Sequence, residues 1–239
     1  MPAPAPKKEN LLLNLVCNIA LPTIVLTKLS EDKYLGAQWG ILVALLFPLS
    51  YGVYDLVTRK KANLFSIIGV VSVLLTGVLN QLKADVFWFA VKEAAMPTLL
   101  GAALLVSMKT KRPLVRELLW NDAVIDTAKV EAALDARGHR GAFETQMVRA
   151  NYGMAASFLL SAGLNYGLAR YLLKDPPGTT AFNEQLGRMN LWSWPVIVLP
   201  TTVVTIWVFW KLMSSLTQLS GLTLEEALHS PPPKKETKS

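Results

Sequence analysis

Long apolar blocks are the feature that most constrains the fold of this chain. About 20 apolar residues cross a bilayer as a helix, and none of these blocks keeps the polar face that a helix on a soluble core needs. Only 17% of the residues are charged, against about 25% in an ordinary soluble domain. The sequence therefore predicts an all-α, polytopic membrane bundle of six transmembrane helices: Leu11–Leu29, Ala37–Val57, Leu64–Leu82, Val86–Met108, Asn151–Leu173 and Leu191–Met213.

The polar segments divide the chain around this predicted membrane domain, residues 11–213. Residues 1–10 and 214–239 form tails, and residues 109–150 form a partly helical loop between spans four and five. In that loop, Leu114–Trp120 places leucines and Trp on one side, which predicts a helix at the membrane surface. Asp126 or Thr127 should cap the next helix, and Thr223 to Glu226 is a capping box in the tail.

The distribution of basic residues predicts the orientation. With the N-terminus in the cytoplasm, most of the 24 lysines and arginines fall in the tails and loops of the cytoplasmic side, as basic residues near span ends usually do. Both termini are therefore expected to be cytoplasmic. The net charge of +7 follows from this topology, and without a basic patch interleaved with aromatic residues no nucleic-acid partner is predicted.

Few residues suit catalysis or metal binding. Cys17 is the single cysteine and lies in an apolar block, which is typical of a buried thiol. His139 and His229 lie outside the blocks and in no metal-ligand pattern. The sequence therefore predicts no catalytic residues, no metal, no cofactor and no enzymatic activity.

Lys92 and Glu93 are the charged pair that needs an explanation, because they lie inside the fourth block. An ionisable side chain at a helix centre in lipid costs about 2.5–3.5 kcal/mol. Lys92 is about 9 Å along the helix from Val86, so its stem could reach the interface, whereas Glu93 should face the bundle. Glu93 is then expected to pair with amides such as Asn14, Asn18 or Asn165, or to be protonated. The pair is either structural or part of a substrate or ion pathway.

A polar stripe on the first block offers a second candidate site. Asn14, Asn18 and Pro22 follow at intervals of four residues and share a helix face. Such a face either hydrogen bonds to other helices or lines a cavity. Residues 20–25 also resemble residues 95–100, which leaves open an inverted repeat of three plus three spans. Small residues at Gly77 and Gly153 predict close helix packing.

Several stretches resemble known bacterial membrane proteins. Residues 51–57, 87–97, 101–107 and 111–116 are similar to the intracellular septation protein A family, which has a lysine at the place of Lys92. The chain resembles a related, uncharacterised family of bacterial six-span inner-membrane proteins more closely, because residues 176–179, 181–189 and 222–226 match as well. The long loop and the Pro176-Pro-Gly segment depart from the septation family. The resemblance implies the bacterial cytoplasmic (inner) membrane and a role in envelope maintenance through contacts with other membrane proteins.

Two functions remain open. The first is a transporter-like protein for a small solute or lipid, with Lys92, Glu93, Asn14, Asn18 and Asn165 as pathway candidates. The second is a non-enzymatic envelope or septation scaffold. The expected partners are the lipid bilayer and either other envelope membrane proteins or further copies of the chain. A water-accessible cavity reaching Glu93 would favour transport, and a dry, tightly packed core would favour the scaffold.

Overall fold

The structure of the chain is a computed structural model that describes residues 11–59, 64–110, 114–120 and 125–228. Across these residues the secondary structure is helical, and the strand-like pairing in them is one isolated bridge between Ile125 and Leu228. The predicted all-α class is confirmed. The predicted tail 1–10 and the end of the predicted tail 214–239 lie outside the described residues.

The helices follow the apolar blocks closely. They are α1 (residues 11–29), α2 (Gly36–Arg59), α3 (Leu64–Gln81), α4 (Val86–Ser107), α5 (Leu114–Leu119), α6 (Thr127–Ala136), α7 (Arg140–Leu172), α8 (Thr180–Ser220) and α9 (Leu224–Ala227).

Four stretches among the described residues are long and apolar enough to cross a membrane: Leu12–Leu29, Gly36–Tyr54, Val86–Ser107 and Thr180–Ser220. Helix α3 contributes a shorter apolar stretch, Val70–Gln81. Helix α7 is continuous, but polar residues such as Asn151 and Asn165 interrupt its apolar sequence. Membrane-type helices are thus confirmed, and the count of six spans stays a prediction.

The apolar helices present much of their surface outward. In an apolar 18-residue window of each of the four long stretches, only 22%, 17%, 22% and 17% of the residues are buried within the protein. Large side chains such as Trp39, Leu99 and Val203 are about two-thirds exposed. Contiguous apolar surface of this kind marks contact with a membrane or with other proteins.

Wider π-helical turns interrupt α1 and α8. They are Val16–Ala20 and Val25–Leu29 in α1, and Trp194–Val198 in α8. Helix α8 therefore runs unbroken through Pro195, where the sequence predicted a separate span starting at Leu191. Pro22 lies between the two π segments of α1, whereas Pro97 lies in α4, which has none. The two similar hexapeptides therefore differ in backbone geometry.

The chain divides into two compact units. The first comprises the described residues up to Met96 together with Ala162–Leu199. Its core contains Phe89 and Phe182, whose rings meet edge to face with centroids 4.9 Å apart, and Ile41, Ala90 and Leu173 pack around them. Because aromatic pairs bury large apolar areas, this contact fixes α4 against α8.

The second unit comprises Pro97–Ser161 and the described residues from Pro200 onward. Its core joins α7 to the second half of α8 through residues such as Met147, Val208 and Leu216. A Cβ added at Gly153 would lie 2.6 Å from Val208 Cγ2, and the Ser157 hydroxyl donates to the Thr201 carbonyl oxygen (3.1 Å). The predicted close packing at Gly153 is confirmed.

The predicted caps of the polar segments also form in the second unit. Asp126 accepts a hydrogen bond from the Lys129 backbone N–H (3.0 Å) and starts α6. Gly138, with a φ of +70°, follows the end of that helix. Both hydrogen bonds of the capping box between Thr223 and Glu226 are present, and the Asp126 backbone N–H donates to the Ala227 carbonyl (2.9 Å). Helix α9 is thereby held beside α6.

Helix α5 forms where a surface helix was predicted, but its surroundings differ from the prediction. Val115 is buried, Trp120 packs against Phe143 with ring centroids 5.0 Å apart, and Arg116 pairs with Glu144 at 2.7 Å. The apolar side of this segment thus contacts protein at Val115 and Trp120. Burial of an aromatic ring in a protein core competes with its insertion into an interface.

Candidate functional site

The ammonium of Lys92 lies at the centre of a polar cluster in the first unit. Its Nζ is 2.7 Å from Glu93 Oε1, and it donates to Thr76 Oγ1 (2.9 Å) and Ser72 Oγ (3.2 Å). Ser72 and Thr76 are one turn apart on α3, so their hydroxyls face the same side of that helix. The three acceptors match the three donors of an ammonium group.

The predicted outward position of Lys92 was wrong, whereas Glu93, which was predicted to face the bundle, lines a cavity among the helices. The side chain of Lys92 is 8% exposed and that of Glu93 is 27% exposed, so the lysine is the more buried of the two. The long lysine stem reaches the α3 hydroxyls and bends back to its sequence neighbour. Glu93 is thus paired with Lys92, which was not among its predicted partners.

A cavity of about 290 Å³ opens beside this pair. Its volume is at the lower end of the range for ligand pockets, roughly 300–1,000 Å³. Charged, hydroxyl and amide groups share the lining with aliphatic side chains, so the cavity can solvate a polar group of a ligand. The lining comprises Asn18, Pro22, Leu26, Ile41, Ala44, Leu45, Pro48, Ser72, Val73, Thr76, Lys92, Glu93, Leu186, Met189, Asn190 and Ser193.

A close crossing of α1 and α8 builds one wall of the cavity. A Cβ added at Gly187 would lie 2.7 Å from Thr27 Cγ2, so only glycine allows this approach. The crossing brings the Asn190 side-chain N–H₂ within 3.1 Å of the Thr23 hydroxyl. Asn190 and Ser193 were missed from the sequence, because they lie at the start of a predicted span where polar residues are common.

Backbone groups near the cavity depart from regular helix. Pro48 has no N–H, so it cannot donate to the Ala44 carbonyl one turn earlier, and both residues line the cavity. Asn18 lies in the π segment Val16–Ala20. Single π turns inside α-helices occur frequently at functional sites.

The structure brings together three of the five predicted site residues. Lys92, Glu93 and Asn18 line the cavity, and the Asn18 amide donates to Asn14 Oδ1 (2.9 Å), which holds that pair along α1. Asn14 itself is outside the lining. Asn165 belongs to α7 and is also outside the lining.

Comparison of the chain with protein-family models, with curated proteins and with solved structures finds no match. Function therefore rests on the geometry of the cavity. That geometry offers a cation, an anion, hydroxyls and amides within one small space, which suits binding of a polar group.

Proposed function

We propose that the protein is a transporter-like membrane protein that binds a small polar or amphiphilic solute in the cavity around Lys92 and Glu93. The observation that carries this proposal is that the cavity reaches both charged side chains. A structural ion pair can be replaced by packed apolar residues at little cost. Charges that line a space are instead available to a ligand, as expected for ionisable groups inside membrane helices.

The surrounding helices support transport in particular. Transporters place their sites where membrane helices are interrupted, and this cavity is lined by Pro22, Pro48 and a π segment. Helices α1 and α8, which form one wall of the cavity, cross closely at Gly187. A small sliding of these two helices past each other would change the shape of the cavity.

The membrane setting is part of the same proposal. We place the protein in a bacterial-type inner membrane as a six-span bundle with both termini in the cytoplasm, in line with its resemblance to the septation protein A family. Helix α2 carries Trp39 near one end and Tyr54 near the other, 67% and 58% exposed. Exposed Trp and Tyr side chains are enriched at both membrane–water interfaces.

Water access to the cavity tests the proposal directly. In a Cys17→Ala background, a Ser193→Cys variant should react with a membrane-impermeant maleimide, because Ser193 lines the cavity. Ser157→Cys is the matched control, since Ser157 is buried and hydrogen bonded to Thr201. Equal lack of reaction at both positions would mean a dry core and would favour the scaffold.

Replacement of Glu93 separates the two functions. Glu93→Gln keeps an oxygen that can accept from Lys92 but removes the negative charge. A transporter-like protein should insert normally and lose its activity in a deletion strain. Full complementation by Glu93→Gln would instead indicate a scaffold that binds other membrane proteins.

A further inference from the structure

An apolar groove lies on α2 and α3, next to the polar cavity. It has a volume of about 360 Å³ and is lined by aliphatic side chains such as Leu42, Leu46, Leu74 and Val78. Leu45 and Val73 line both the groove and the cavity. The apolar groove therefore adjoins the cavity of the charged pair at these two residues.

The walls of this groove are open to whatever surrounds the helices. Leu46 is 55% exposed, Leu74 is 50% exposed and Val78 is 52% exposed. On membrane helices such surface is in contact with hydrocarbon chains. One acyl chain can therefore lie in the groove, whereas a water-soluble solute would gain no favourable contacts there.

The charges of the cavity select the head group. A purely anionic group that took Lys92 would strand the Glu93 carboxylate, and a purely cationic group would strand Lys92. Leaving one member of a buried pair without its partner is strongly unfavourable. A head group that carries both a phosphate and an ammonium exchanges one ion pair for two and leaves no charge unpaired.

We propose that the ligand is a zwitterionic aminophospholipid of the ethanolamine type. Its phosphate binds Lys92 with the Ser72 and Thr76 hydroxyls, its ammonium binds Glu93, and its acyl chain passes Leu45 and Val73 into the groove. The cavity has room for about ten waters at roughly 30 Å³ each, enough for such a head group. This inference rests on the proposed function and names its substrate class.

Binding to the purified full chain in detergent tests the inference. Three probes are compared by native mass spectrometry: lysophosphatidylethanolamine, lysophosphatidylglycerol and the soluble head group phosphoethanolamine. We expect the first to bind at least about tenfold more tightly than either of the others. The neutral double variant Lys92→Gln, Glu93→Gln should lose the preference between the two lipids.

The groove has a matched pair of variants. Leu74→Trp fills the groove and should weaken lysophosphatidylethanolamine binding by about tenfold or more. Leu75→Trp, on the same helix and 44% exposed but outside the groove, should leave binding unchanged. In the unaltered protein, a lipid with a diazirine on its acyl chain should label the α2 and α3 peptides that line the groove.

The failures are distinguishable. If phosphoethanolamine binds as tightly as the lipid and Leu74→Trp has no effect, the cavity binds a soluble solute and the lipid is wrong. Equal binding of both lysolipids would overturn the charge matching. If none of the three probes binds to protein that unfolds cooperatively on heating, the aminophospholipid is wrong, whereas the proposed function is decided separately by the labelling of Ser193→Cys and the complementation by Glu93→Gln.

Discussion

At the scale of single residues, Lys92 organises the candidate site. Its ammonium is held by one carboxylate and two hydroxyls, and its side chain is nearly buried. Charge-assisted hydrogen bonds are about twice as strong as neutral ones, and a low dielectric strengthens them further. The same setting makes loss of the cation costly.

Loss of one charge of the pair should harm the protein more than loss of both. Lys92→Met strands the Glu93 carboxylate, and breaking a buried pair in this way costs up to about 3–5 kcal/mol. Glu93→Gln keeps an acceptor for Lys92 but leaves its ammonium, which is more buried than Glu93, without a counter-charge, so it should cost more than the roughly 1 kcal/mol of an ordinary hydrogen bond. Thermal unfolding in detergent measures both variants and the neutral double variant Lys92→Met, Glu93→Gln, and a double variant less stable than either single variant would contradict the ion pair.

The two charged residues of this site could be predicted from the sequence, but their hydrogen-bond partners could not, for a physical reason. Lys92 and Glu93 stand out because charge is rare inside apolar blocks. Their partners Ser72 and Thr76 are 20 and 16 residues away on another helix. Hydroxyls are ordinary residues in membrane helices, so only the packing of α3 on α4 shows which of them bind the ammonium.

At the scale of secondary-structure elements, glycines set how closely helices approach. Gly153 lies directly against Val208 of α8, whereas a Cβ at Gly163 of α7 would meet nothing within 4 Å. The same substitution at these positions should therefore have opposite effects.

Gly153→Ala should lower the unfolding temperature, because overpacking of a tight contact costs about 1–3 kcal/mol. Gly163→Ala should leave stability unchanged or raise it by about 0.5–1 kcal/mol, since alanine restricts the unfolded chain and favours helix. Both are measured by thermal unfolding in one detergent. A destabilising Gly163→Ala together with a neutral Gly153→Ala would mean that the α7–α8 contact is wrong.

The capping box of α9 should respond to pH. The pKa of the Glu226 carboxyl lies below its ordinary value because the Thr223 backbone N–H and hydroxyl donate to it, at 2.8 and 3.0 Å. With the folded pKa depressed, the carboxylate stabilises the turn above the unfolded pKa of about 4.3. That stabilisation is lost as the pH falls through the lower folded value.

Amide hydrogen exchange of α9, corrected for its intrinsic rate, measures this effect. Protection at Glu226 should fall between about pH 6 and about pH 3, a range that brackets the ordinary glutamate pKa. Glu226→Gln should keep its protection across that range, because glutamine also completes a capping box. Protection that is independent of pH in the unaltered chain would contradict the carboxylate cap.

Local sequence patterns predicted the helix caps better than they predicted where the long helices begin and end. The caps at Asp126 and Thr223 were predicted correctly because each depends on residues within four positions of one another. The length of α8 was not, since Pro195 suggested a break. The structure instead continues the helix through Pro195, inside the π segment Trp194–Val198.

At the scale of the whole molecule, helix lengths bear on the topology. Helix α8 has 41 residues and α7 has 33, so at 1.5 Å per residue they are about 62 and 50 Å long. A bilayer core is about 30 Å thick. If both helices span a membrane as predicted, each extends beyond the hydrocarbon. The end of α7 at Arg140 and Glu144, with its ion pairs to α5 and α6, suits water better than lipid.

The length by which α7 and α8 exceed the thickness of the bilayer core predicts which surfaces face the cytoplasm. If Leu172 and Thr180 lie at the outer surface, the charged end of α7, with α6 and α9, extends into the cytoplasm. Most basic residues then fall on the cytoplasmic side, as expected near the ends of membrane helices.

In a Cys17→Ala background, Ala181→Cys should react with a membrane-impermeant maleimide in sealed cells and Ala132→Cys should not. Both positions are exposed, so burial cannot explain a difference, and permeabilised cells should label both. Reaction at Ala132 but not at Ala181 in sealed cells would reverse the orientation, and reaction at neither after permeabilisation would contradict the exposure of both helices.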